Sequence, residues 1–168
     1  MKKLLYIAFF SISTFFFIAC GPYSFTGVTT DAESIQIDFF PNQAPIVEPS
    51  LTQRFTNDLQ DLFTRQTNLT LVRTNGELQL SGEIIGYRIT PLSGTSNQTA
   101  AQNRLTVTVN VRYINTKNDK DDFEKSFSFY SDFEANEQLT GSVLENALDE
   151  IIERITQDIF NASLSNWG

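Results

Sequence analysis

The sequence predicts an α+β fold: a two-layer sandwich in which a mixed, mostly antiparallel sheet of four to five strands is covered by two amphipathic helices. Three observations predict it. Residues 104–113 alternate strictly, with Leu105, Val107, Val109, Val111 and Tyr113 apolar and the even positions polar, which is the period of a strand with one wet face. Two segments carry apolar residues at helical spacing, Leu51, Phe55, Leu59, Leu62 and Phe63 in one and Leu144, Leu148, Ile151, Ile155 and Ile159 in the other. Short period-2 segments surround them. Strands that hide a single face need a cover, and the two helices supply it.

The amino terminus is read apart from the fold. Met1-Lys2-Lys3 leads into an apolar run that ends Phe17-Ile18-Ala19-Cys20-Gly21. A basic start, an apolar stretch and a small residue ahead of a cysteine make the pattern of a bacterial lipoprotein signal. It predicts cleavage between Ala19 and Cys20, with Cys20 becoming a new terminus that carries acyl chains such as palmitate. Residues 4–19 fall short of the roughly 20 apolar residues of a membrane-spanning helix, and Ser11, Ser13 and Thr14 interrupt them. The expected organisation is therefore a signal peptide over 1–19, a lipidated tether over 20–32 and one domain over 33–168. Gly21 stands where some lipoproteins carry an inner-membrane retention aspartate, and the first carboxylate is Asp31. Both features predict the outer membrane, on its periplasmic side.

The elements of the domain follow in order. Ile35, Ile37 and Phe39 alternate with polar neighbours as a half-buried strand, which Pro41, Pro45 and Pro49 end. Ser50-Leu51-Thr52-Gln53 has the form of a capping box at the start of the first helix, whose wet side carries Asp58, Asp61 and Arg65. A short strand over 69–73 precedes Asn75-Gly76, a strong hairpin signal. In the long strand 77–89 the apolar phase slips between Leu78/Leu80 and Ile85/Tyr87/Ile89, with Gly82 and Gly86 flanking the slip, so a bulge or bend is expected there. Residues 91–103 form an uncharged loop rich in Ser, Thr, Asn and Gln. The strand 104–113, a charged turn at 118–122 and a strand bearing Phe123, Phe127, Phe129 and Phe133 lead to the last helix, capped at Ser142.

Composition narrows the function. The chain holds 12 basic and 20 acidic residues for a net charge of −8; loss of Lys2 and Lys3 with the leader leaves 10 against 20, or −10. Nucleic-acid binding is disfavoured, since it needs a basic surface. With one cysteine no intramolecular disulfide can form. Histidine is absent, which removes the commonest general base, metal ligand and nucleophile partner. The expectation is a protein without catalytic residues, cofactor or metal.

Several ordered pieces resemble the lipopolysaccharide-assembly lipoproteins of the LptE family, in a divergent Gram-negative branch. They are Cys20-Gly21-Pro22-Tyr23-Ser24-Phe25-Thr26-Gly27, Phe55…Leu59…Phe63 running into Gln66-Thr67-Asn68-Leu69, Gly82-Glu83-Ile84…Tyr87, Arg104-Leu105-Thr106-Val107, and Asp158-Ile159-Phe160-Asn161…Asn166-Trp167. The resemblance spans nearly all of the chain after the leader. It implies a non-enzymatic outer-membrane lipoprotein that binds and plugs an LptD-type β-barrel and assists lipopolysaccharide transport and assembly. The reading from a different class is a scaffolding lipoprotein of another envelope complex.

Lipopolysaccharide carries phosphates, which a strongly acidic domain repels at long range. Arg88, Arg104 and Arg112 are the basic residues of the long central strands and the candidate lipopolysaccharide contacts; ordinary solvated strand arginines are the competing reading. Arg104 and Arg112 share a face but lie eight residues apart, roughly 27 Å along a strand, too far to clamp one phosphate together. Ser96 and Gln98 in the loop 91–103 are the candidate barrel contacts. A loop of this length is functional or disordered, and the sequence leaves both readings open.

Overall fold

The computed structural model describes residues 30–92 and 101–164. The chain runs β1 (Ser34–Ile37), α1 (Leu51–Gln66), β2 (Thr70–Val72), β3 (Leu78–Leu92), β4 (Gln102–Asn115), a 3-10 turn at Asp119–Asp121, β5 (Phe123–Glu134) and α2 (Gly141–Leu164). The sheet has five strands in the order β2-β1-β3-β4-β5. β1 pairs in parallel with β2 and β3, and the longer β3–β4 and β4–β5 ladders are antiparallel. This is the expected α+β sandwich.

One face of the sheet holds the core. Leu105, Val107, Val109, Val111 and Tyr113 are buried, as their alternation requires, together with Ile35 and Ile37 of β1 and Leu78, Leu80 and Ile84 of β3. Leu51, Phe55, Leu59 and Phe63 of α1 and Leu148, Ile151, Ile155 and Ile159 of α2 close over them. Leu62 and Leu144 pack only partly buried at the margin. Two edge-to-face ring pairs lock the layers: Phe40–Phe55 at 5.2 Å joins the β1–α1 connection to α1, and Phe63–Phe160 at 5.0 Å joins the two helices.

The slip expected between Gly82 and Gly86 is a β-bulge: the β3–β4 register shifts between Ile84 and Gly86, leaving Ile85 as the extra residue. Ile84 and Tyr87 therefore both point inward, while Ile85 stands 41% exposed. Gly82 is required for close approach, because a Cβ there would lie 2.0 Å from the Asn110 carbonyl oxygen and 2.8 Å from the Phe40 ring.

Four local expectations are corrected. Ser50 forms no capping bond, because its dihedrals are helical rather than the extended ones an N-cap adopts; its hydroxyl donates to Glu48 Oε1 at 2.8 Å and its amide to the same oxygen at 3.1 Å. Gln53 donates one turn onward to Asn57 instead of reaching back. Asn75-Gly76 turns the chain, with Asn75 at φ 57, but makes no hairpin. β2 and β3 both run parallel to β1 and flank it, so residues 73–77 cross β1, close enough that a Cβ on Gly76 would lie 2.5 Å from the Gln36 amide nitrogen. The connection read as 91–103 is shorter, since Pro91 pairs with Asn103 and Leu92 with Gln102. The last helix begins at Gly141, with φ +53, so Ser142 lies inside its first turn. Cys20, Ser96, Gln98 and Trp167 lie outside the described residues.

Candidate functional site

Both helices occupy one side of the sheet, so among the described residues no helix or strand covers the other side of β3, β4 and β5. The even-numbered residues of β4 look onto it, and register decides what each one meets. Arg104 faces Thr90 on β3 and Asp132 on β5; Thr106 faces Arg88 and Tyr130; Thr108 faces Gly86 and Ser128; Asn110 faces Glu83 and Ser126; Arg112 faces Ser81 and Glu124. A hydrogen-bonded polar ladder results. Thr108 Oγ1 and Ser128 Oγ are 3.0 Å apart, and Asn110 Nδ2 donates to Glu83 Oε1 at 3.2 Å.

The three arginines have different fates. Arg104 donates through Nε and Nη2 to the two oxygens of Asp132, at 2.7 and 2.8 Å, and its guanidinium lies 3.5 Å from the Tyr130 ring centre. The bond to Arg104 holds the Asp132 carboxyl below the usual carboxylate range, and Asp132 raises Arg104 in turn. Arg112 donates twice to Glu124 Oε2, at 3.0 and 2.8 Å, which lowers Glu124 in the same way. Arg88 makes no ion pair among the described residues. Register sets Arg88 diagonal to Arg104, about 7–8 Å away on the backbone, and leaves Arg112 far down the same face. The structure thus brings two of the three together and neutralises two of the three.

A shallow groove of about 540 Å³ lies at the bulge, bordered by Ile46 and Ile85 on its apolar side and by Arg88, Thr106, Thr108 and Ser128 on its polar side. Ile46 comes from the Pro-rich β1–α1 connection, whose exposure no periodicity announces. Tyr130 is the other residue that sequence reasoning passed over; its phase on β5 is the signal, since it places the ring beside Arg104. Chemically the face offers hydroxyls, amides, one cation and an apolar margin. Among the described residues no group of three or more histidine, cysteine, aspartate or glutamate side chains is arranged to hold a metal. No described helix is long and apolar enough to cross a membrane.

The family described as LptE, lipopolysaccharide-assembly, matches residues 32–163. This chain belongs to the LptE family. The match covers all seven strands and helices of the domain and gives it a role in lipopolysaccharide assembly. Solved structures agree on the fold. A hypothetical protein of Chlamydia trachomatis superposes with a TM-score of 0.55 at 8% identity, covering 80% of this chain and 99% of its own. A protein of Xanthomonas campestris superposes with a TM-score of 0.52 at 10% identity, covering 86% of this chain and 88% of its own. At such identities the likeness speaks for architecture alone. No curated protein matches the chain.

Proposed function

We propose that this LptE-family protein is a non-enzymatic lipoprotein held at the periplasmic side of the outer membrane by acyl chains on Cys20. Residues 1–19 are the leader that is removed, 20–32 the tether and 33–168 the working domain. That domain binds and plugs an LptD-type β-barrel and assists delivery of lipopolysaccharide to the outer leaflet. The observation that carries the barrel reading is the open sheet face. It is a ladder of hydroxyls, amides and arginines, two of which, Arg104 and Arg112, are matched by Asp132 and Glu124. A barrel lumen is polar and water-lined, and a surface made mostly of hydrogen-bonding groups suits it. Arg88, the one of the three arginines without a carboxylate partner among the described residues, is the one of them best suited to an external anion, such as a lipopolysaccharide phosphate.

Photo-crosslinking in intact cells tests the reading. Probes at Thr108 and Ser128 on the open face, and at Ser96 and Gln98 between β3 and β4, should capture an outer-membrane barrel of lipopolysaccharide-export type. Capture only from Asp149 or Glu153 on α2 would place the partner on the helix side and overturn it. Co-purification with some other envelope complex, and no barrel, would favour a scaffolding role instead.

A further inference from the structure

Among the described residues, the upper half of β3 has no strand on the side away from β4. Along its lower half, residues with inward side chains turn their backbone groups toward β1 and the segment after it: Asp38 donates to the Leu80 carbonyl at 2.9 Å, Ile84 donates to the Pro41 carbonyl at 2.9 Å and accepts from Gln43 at 2.8 Å. The bulge at Ile85 transfers that outward-pointing role to Tyr87, Ile89 and Pro91, since Ile84 and Tyr87 share the inner face. The β1 side is followed only as far as the bridge between Asn42 and Ile84. Beyond it, among the described residues, no strand lies against this edge. The amides of Tyr87 and Ile89 and the carbonyls of Tyr87, Ile89 and Pro91 are therefore an open template for strand addition.

Side chains say what would fit. Ile85 and Ile89 are 41% and 42% exposed along this edge, with Ile46 at 53% beside the bulge. On the same sheet, Arg104 and Arg112 each have a carboxylate directly across the β4–β5 ladder. Arg88 faces Thr106 on one side and, on the other, an edge with no strand among the described residues. Two copies of the chain would repel through their like net charges, −8 each on the full sequence, and a symmetric pairing of the two edges would set Arg88 against Arg88.

We infer that the β3 edge from Ile85 to Pro91 docks an extended segment of a partner polypeptide, which adds a strand beside β3, covers Ile89 and sets a carboxylate against Arg88. The inference does not depend on the barrel reading, because any envelope protein with such a segment satisfies it. Pro91, with no amide hydrogen to offer, limits the addition to the stretch below it and keeps the edge from indiscriminate pairing.

The test uses the full chain in detergent and an end-capped peptide of alternating valine and threonine with one central glutamate. With excess peptide, hydrogen exchange at the Tyr87 and Ile89 amides should slow by about tenfold or more. A peptide with lysine in place of the glutamate should bind roughly tenfold more weakly, and Arg88→Glu should invert that preference. Ile89→Pro removes one free donor without touching the β4 ladder, so it should abolish protection at Tyr87 while Leu105 and Val107 stay protected. Should Ile89→Pro fail to fold, the peptide swap and Arg88→Glu decide the matter alone. Equal binding of the two peptides, undiminished binding to a folded Ile89→Pro variant, or amides of Tyr87 and Ile89 already protected before peptide is added would each overturn the inference.

Discussion

Arg104 on β4 and Asp132 on β5 stand directly opposite each other and are joined by two parallel hydrogen bonds of 2.7 and 2.8 Å, with Tyr130 stacked beneath the guanidinium. Both partners are about 30% exposed, so the pair fixes register at the top of the β4–β5 ladder more than it adds stability. It also removes from the open face a positive charge that the sequence alone presents as free.

The pair makes stability depend on pH in one direction. Asp132 titrates below its unfolded value, so its contribution is complete above the ordinary aspartate range, near pH 4, and is lost as pH falls through the lower folded value. Arg104 is shifted upward, and its share is lost only at alkaline pH beyond any working range. Asp132→Asn should therefore lower stability by about 0.5–1 kcal/mol at neutral pH, and the gap should narrow as pH falls below the ordinary aspartate range. Urea midpoints from neutral to acid pH check it; a gap that does not narrow on acidification would refute the assignment.

Phe55 tests the core. Its ring is fully buried and meets Phe40 edge-on. Phe55→Ala should cost about 3–5 kcal/mol in a denaturant melt, through lost burial and a residual cavity. A loss under about 1 kcal/mol is incompatible with the ring's position between α1 and the sheet.

Gly82 tests the close approach of β3 to β4 and Phe40. Gly82→Ala forces a methyl against the Asn110 carbonyl and the Phe40 ring, and should destabilise the domain by about 1–3 kcal/mol. Asn110→Ala should not rescue it, because the obstacle is backbone. A thermal melt unchanged from the parent would show that the two strands separate there without cost.

The lipid anchor is tested at Cys20. Cys20→Ser should move the protein from the membrane fraction to the soluble fraction, and the intact mass of the parent's mature terminus should include acyl chains. An unmodified thiol at Cys20, or a retained 1–19 leader, defeats the anchor.

Sequence periodicity reached the core and stopped at the register. Leu105 through Tyr113 are buried because a strand's two faces alternate whatever its neighbours are, and the α1 and α2 stripes follow from helical spacing in the same way. The slip at Ile85 was legible because glycines bracket a change of phase. Asn75-Gly76 shows the limit: its turn chemistry is right, yet β1, some forty residues earlier, takes the place between β2 and β3 that a hairpin would have closed. Ser50 missed its cap because its backbone is already helical and its hydroxyl turns to Glu48, which a capping motif does not express. The pairing of Arg104 with Asp132 and of Arg112 with Glu124 depends on which residues of β5 lie opposite β4, a long-range fact that no local pattern contains. So does the open β3 edge, which exists only because the segment after β1 leaves the sheet at the bulge.

The sheet has two ends with different company. Thr30 and Asp31, where the described chain begins, share a pocket with Asn115, Lys117 and Leu164, so the entering chain and the end of α2 gather at the same pole. From there β3 climbs 15 residues to Leu92, a rise of up to about 50 Å, against roughly 30 Å for the hydrocarbon thickness of a bilayer. A domain tethered at one leaflet and seated upright inside a barrel would thus work as a ruler. Adding or removing paired residues in β3 and β4 would change the reach of its upper end by about 3.3 Å per residue.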